Sequence, residues 1–168
     1  MVRHPARQPT EAVAVPLEIG SATPFFTLAN QFGEVVESSS LVGGAVVVFF
    51  PFAFSRVCTD ELGQLRDNLE LFDAAGVTLV AVSVDHKYTL RAFADANDIS
   101  FDLLADFWPH GTVTRSYGAF DDTKGYADRV SYVLDGSGTV RAVVSSDHGQ
   151  GRPIADYAHA LSSVEAAL

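Results

Sequence analysis

Cys58 is the only cysteine among the 168 residues of the chain. It lies between an apolar run at residues 45–50 and a stretch of helical spacing that begins at Leu62. A thiolate, not a thiol, is the nucleophile in cysteine chemistry, and a helix N-terminus favours one through its unpaired N–H groups and positive end. A free cysteine is most often a small buried hydrophobe, so the neighbours must decide. Thr59, Asp60 and Glu61 read as first-turn residues, which puts Cys58 in or beside the first turn. A helix end contributes about 0.3–1 kcal/mol, or ~2 when partly buried. Against Asp60 and Glu61, that is too little to ionise a thiol of ordinary pKa ~8.5. A cation is therefore required near the sulfur. Arg56 is two residues away and other arginines lie further along, and sequence distance does not choose among them.

Other arrangements carry less. His4, His86, His110, His148 and His159 show no metal-ligand spacing with one another or with Cys58, so no metal is expected and the histidines read as solvated or core residues. Ser145, Ser146, Asp147 and His148 contain the members of a serine triad, but neighbouring side chains point apart and no nucleophile elbow precedes them, so the segment reads as a polar loop. A Cys–His hydrolase needs a histidine beside Cys58, and spacing identifies none. The glycines form neither a dinucleotide fingerprint nor a phosphate loop, and no cofactor is expected. Phe107 and Trp108 read first as core side chains, with a hydrophobic wall or a subunit contact as the other use.

The elements that must position Cys58 are legible as alternating patterns. Residues 45–50 and 77–84 are apolar nearly throughout, as in strands covered on both faces, and should be central in a sheet. Between them Leu62, Leu65, Leu69 and Phe72 recur at helical spacing until Gly76, completing a parallel strand–helix–strand unit. Leu90, Phe93 and Ala94 mark a second helix, and Phe101, Leu103 and Leu104 a short strand. Residues 25–28 and 34–36 flank the turn-like Asn30-Gln31-Phe32-Gly33 and predict an N-terminal hairpin, followed by a polar loop at residues 38–40. Residues 130–134 and 139–144, joined by Asp135-Gly136-Ser137-Gly138, predict a second hairpin. Ile154, Ala158, Leu161 and Val164 give a last helix one apolar stripe. This order predicts an α/β thioredoxin-like fold, a central mixed sheet flanked by helices, with the N-terminal hairpin added. Residues 1–16, rich in proline and charge, read as a flexible extension before a single domain at residues 17–168.

Eleven basic and 21 acidic residues leave a net charge of −10, which disfavours nucleic acid and anionic membranes as partners. The longest apolar run, residues 42–54, is broken by Gly43, Gly44 and Pro51 and is shorter than the ~20 residues of a membrane helix. With one cysteine and no apolar leader, the expected compartment is the cytoplasm.

Pro51, Ser55 and Cys58 reproduce the Pro-x-x-x-Thr/Ser-x-x-Cys pattern of the peroxiredoxins at the same strand-to-helix position. The flanking residues 49–55 and 60–67, and the later 105–111, look most like the AhpE subgroup of one-cysteine peroxiredoxins. The resemblance runs from about residue 17 to the end of the chain. It implies a thiol peroxidase in which Cys58 is oxidised to a sulfenic acid by hydrogen peroxide or an organic hydroperoxide. It places the family's active-site arginine on Arg129 in Ala127-Asp128-Arg129-Val130, with Arg141 out of register, and gives Ser55 and the Cys58 N–H a part in holding the peroxide. Pro51 would fix the turn and shield the sulfenic acid. Glu61, three positions after the cysteine, stands where some relatives carry a residue that orients the arginine; a plain first-turn acid is the other reading. Serine for the commoner threonine keeps the hydroxyl. No resolving cysteine is present, so the reductant is an external thiol: mycothiol with a mycoredoxin, thioredoxin or similar. A homodimer or larger homo-oligomer is also implied. The alternative is a thioredoxin-fold binding or redox-sensing protein without peroxidase turnover.

Overall fold

The computed structural model describes residues 15–165, so residues 1–14 of the expected extension lie outside the described residues. Strands β1 (Thr27–Asn30) and β2 (Val35–Glu37) form the expected hairpin. Residues 38–40, read as loop, instead form one 3-10 turn, in which the Ser40 hydroxyl donates to the Glu37 carbonyl at 2.7 Å. Strand β3 (Ala45–Phe49) is buried throughout. It leads through residues 50–55 into α1 (Arg56–Asp67), and α2 (Leu69–Ala74) follows.

One helix was expected between residues 62 and 76; there are two. The Asn68 side-chain amide takes the Gln64 carbonyl at 2.8 Å, its backbone leaves the helical region, and the ladder breaks there. The apolar spacing continues across the break, which is why the sequence shows one pattern. Strand β4 (Thr78–Ser83), α3 (Lys87–Asn97) and β5 (Asp102–Ala105) complete the parallel core. A short helix, α4 (Thr112–Ser116), and a two-residue ribbon of β6 (Phe120–Asp121) with β7 (Tyr126–Ala127) have no counterpart in the sequence reading. Strands β8 (Arg129–Leu134) and β9 (Val140–Ser146) form the second hairpin, and α5 (Ile154–Glu165) closes the chain. Leu161 and Val164 of the expected stripe are buried, while Ala158 is exposed and α5 buries Tyr157 and Ala160 in its place.

The seven-stranded sheet runs β2-β1-β5-β4-β3-β8-β9. β3, β4 and β5 are parallel, while β1 and β8 join antiparallel on either side, which makes the sheet mixed. Alternation along β3 divides the core. Val46, Val48 and Phe50 share one cluster with Cys58, Leu62 and Leu65 of α1 and Tyr157 of α5. Val47 and Phe49 share the other with Tyr117 and Tyr132. On that second side the Leu17 N–H donates to the Tyr132 hydroxyl at 3.1 Å, where the chain joins the sheet. Gly118 has φ +64, and a Cβ there would strike the Val15 carbonyl. The close approach requires glycine.

Candidate active site

Cys58 is the third residue of α1, and its side chain is fully buried. The chain reaches it through a tight turn after β3. The Phe50 N–H continues the ladder to the Val82 carbonyl at 3.0 Å, and the Asp85 carboxylate accepts the Ala53 N–H at 2.8 Å. Phe54 then takes φ +68, a left-handed conformation that costs a non-glycine residue about 1–3 kcal/mol. Its ring meets Phe93 edge-on at 5.3 Å, which anchors the turn on α3. Ser55 is the N-cap, and its Oγ accepts the Cys58 N–H at 3.4 Å.

The cation comes from the opposite side of the site. Arg129 begins β8, is 3 % exposed, and puts Nη2 3.3 Å from the Cys58 sulfur. Its Nη1 donates to Glu61 Oε2 at 2.8 Å and its Nε to the His148 carbonyl at 2.8 Å. Three donors on three partners fix the plane of the guanidinium. Glu61 is held from behind by Arg152, whose backbone N–H and Nε donate to Oε1 at 2.7 and 2.6 Å and whose Nη2 donates to Oε2 at 2.9 Å. Arg152 Nη1 reaches Ser131 Oγ at 2.9 Å, and that hydroxyl pairs with Tyr157 at 2.8 Å. Burial pushes the Glu61 carboxyl up, but the hydrogen bonds and charge of Arg152, with the charge of Arg129, outweigh it and hold the group below the ordinary carboxylate range.

The structure thus gathers Cys58, Ser55, Arg129 and Glu61, and puts Pro51 at the wall of a cleft of about 240 Å³ beside them. Phe52, Tyr126 and His148 line the same cleft. Two readings of the sequence are corrected. Glu61, with Asp60, falls beyond the first turn of α1, which contains no acid, and Glu61 points inward at the two arginines. Phe107 and Trp108 are not core: they are 46 % and 82 % exposed, on the loop that follows β5. Of the rival cations, Arg56 is exposed, and Arg141 pairs with Asp135 on its own hairpin at 2.6 Å.

Arg152 was missed. Its only signal is an arginine in the polar run just before the last helix, and spacing says nothing about its reach to Glu61. The segment at residues 145–148, read as a polar loop, is loop only at Asp147 and His148, since Ser145 and Ser146 end β9 and pair with Val130 and Arg129 of β8; His148 touches the site. Its Nε2 lies 2.8 Å from Asp128 and 3.8 Å from Asp121. These three put one donor atom each within 4.8 Å of one another, the one such group among the described residues, and Lys124 already stands 3.3 Å from Asp121.

A buried thiol on the first turn of a helix, facing a guanidinium held from two further sides, can attack an electrophile small enough for the cleft. Residues 19–143 match the AhpC/TSA family. The chain is 36 % identical to alkyl hydroperoxide reductase E of Mycobacterium tuberculosis over 152 residues, covering 89 % of this chain and 99 % of that protein. It is 30 % identical to alkyl hydroperoxide reductase C of Staphylococcus aureus over 149 residues, 86 % of this chain and 78 % of that one. Among solved structures, peroxidoxin BcpB of M. tuberculosis superposes with a TM-score of 0.77 at 25 % identity, over 89 % of this chain and 97 % of that chain. AhpC of Enterococcus faecalis does so at 0.80 and 26 %, over 88 % and 92 %.

Proposed function

Because the chain belongs to the AhpC/TSA family of peroxiredoxins, and is a thiol-dependent peroxidase on a thioredoxin-like fold, we propose that Cys58 is its peroxidatic residue and Arg129 the cation that activates it. The observation that carries this reading is the 3.3 Å approach of Arg129 Nη2 to the buried sulfur at the start of α1. The Cys58 thiolate attacks the terminal peroxide oxygen. An S–O bond forms as the O–O bond breaks, and the electron pair leaves on the distal oxygen, which takes a proton to become water or an alcohol. Arg129 faces the charge as it moves from sulfur to the leaving oxygen, a stabilisation by donors already in place. Glu61 keeps the guanidinium aimed. Ser55, whose hydroxyl accepts the Cys58 N–H before substrate enters, turns that hydroxyl towards the peroxide, and Pro51 walls the cleft against bulk water.

The sulfenic acid has no second cysteine in the chain to meet. One external thiol displaces water to form a mixed disulfide, and a second releases Cys58 as thiol with a disulfide product. Mycothiol with a mycoredoxin, or thioredoxin, fits this requirement. The assembly we propose is a homodimer or larger homo-oligomer, working in the cytoplasm. Among the described residues no helix is long and apolar enough to cross a membrane. We further propose that residues 1–16 form an extension to a domain that runs from residue 17.

One equivalent of hydrogen peroxide added to the reduced protein is expected to be consumed rapidly, with dimedone then labelling Cys58. The Arg129→Ala variant should react at least about a hundredfold more slowly, the loss that follows removal of one preorganised donor. Oxidation of the wild type no faster than free cysteine would sink the assignment of Cys58. An unchanged rate in Arg129→Ala would move the cation role elsewhere.

A further inference from the structure

The guanidinium that faces Cys58 needs its own support, and one of its three partners is a main-chain carbonyl on a loop. Arg129 Nε donates to the carbonyl of His148 at 2.8 Å. Residues 147–153 connect β9 to α5 without regular structure, so the place of that carbonyl depends on what ties the loop down. Within the loop the Ser146 hydroxyl donates to the Gln150 carbonyl at 2.6 Å and the Gln150 N–H to the Asp147 carbonyl at 3.0 Å. These bonds shape the turn but do not attach it to β8.

The His148 side chain makes that attachment. Its Nε2 lies 2.8 Å from Asp128 Oδ1, on the residue just before Arg129. Asp121 Oδ2 is 3.8 Å away and is shared with the Lys124 ammonium at 3.3 Å. The ring meets Tyr126 edge-on at 5.6 Å, and Tyr126 in turn meets Phe52, at the wall of the cleft, at 4.7 Å. Nδ1 is buried and has no partner. Asp128 offers only a carboxylate oxygen, an acceptor, so Nε2 is the donor in that contact. Ring and carbonyl of one residue therefore span from the ribbon of β6 and β7 to the catalytic cation.

We propose that His148 is a positioning residue for peroxide reduction: its ring, anchored on Asp128 and Tyr126, fixes the loop carbonyl that aims Arg129 at Cys58. The inference rests on Arg129 acting as the cation at Cys58. Any residue at 148 supplies a carbonyl, so the side chain contributes through the position of that carbonyl.

The test uses the full chain, reduced, in single-turnover oxidation by hydrogen peroxide, together with the fraction of Cys58 present as thiolate at neutral pH, read by ultraviolet absorbance. His148→Ala is expected to slow oxidation about tenfold, equivalent to ~1.4 kcal/mol in the barrier, and to lower the thiolate fraction. His148→Gln, whose amide reaches as far as Nε2, should return the rate to within about threefold of wild type, on the scale where tenfold is ~1.4 kcal/mol. In an Arg129→Ala background, His148→Ala should add less than about twofold, because residues acting as one unit are not additive. Three results overturn the proposal: a wild-type rate and thiolate fraction in His148→Ala, equal slowing by alanine and glutamine, or a full second loss in the Arg129→Ala background. If His148→Ala does not fold, Asp128→Ala removes the same anchor from the other side and is read in the same way. A fast Arg129→Ala would defeat the underlying assignment; a slow Arg129→Ala with an unaffected His148→Ala defeats only this one.

Discussion

Glu61 is buried and receives four hydrogen bonds from two arginines. Removing one partner of a buried ion pair costs more than the pair is worth, because the remaining charge is left uncompensated. Glu61→Gln is therefore expected to lower stability at neutral pH by about 3 kcal/mol or more. The sign with pH follows from the lowered carboxyl. The group binds its proton less readily folded than unfolded, so its contribution is complete above the ordinary carboxylate range and disappears as pH falls through the native value. Denaturant midpoints of wild type and Glu61→Gln should converge in acid; a constant gap would show that Glu61 is not the titrating contributor. Cys58 stood out through its local setting between strand and helix. Pro51, Ser55, Arg129 and Glu61 were reached through family resemblance, and Arg152 and His148 not at all. Their meeting depends on β8, α1 and the loop before α5 coming together, which no spacing along the chain encodes.

The strand-to-helix junction concentrates three devices within five residues: the Asp85 bond to Ala53, the left-handed Phe54 and the Ser55 cap. Losing an N-cap hydroxyl costs about 1 kcal/mol. Ser55→Ala should therefore lose that much stability and slow peroxide consumption, whereas Ser55→Thr should retain both, as measured by thermal unfolding and single-turnover rate. Equal behaviour of the alanine and threonine variants would deny the hydroxyl its role. The strands of the core were readable because continuous apolar runs and Asp-Gly turns are strong local signals. Short elements were not. α4 has five residues and begins where the buried Asp106 carboxylate accepts the Val113 and Thr114 N–H groups at 3.2 and 2.7 Å, a partner seven and eight positions upstream that periodicity does not register. The exposure of Trp108 has a related cause. Residue type favours the core, but Trp108 lies on the loop after β5, with its side chain outside the sheet layers.

At the scale of the molecule, the sheet order could be anticipated at its centre, where parallel strands follow one another through helices, and within the two hairpins, but not where the first hairpin docks. The pairing of β1 with β5 brings residues some 75 positions apart into register, Ala29 with Ala105, and depends on the completed fold. Counting formal charges in the buried group around Cys58 gives two positive arginines, one negative Glu61, and Cys58. The group is neutral with the thiolate proposed for Cys58, and an uncharged sulfenic acid in its place leaves it one negative charge short. Cys58→Ser, uncharged and of similar size, should melt below the reduced wild type, and Cys58→Asp, which returns a negative charge, should melt above Cys58→Ser. Identical melting temperatures for the two variants would refute the charge count. If it holds, each peroxide loosens the first turn of α1 at the moment a bulkier thiol must reach a sulfur that is otherwise fully enclosed.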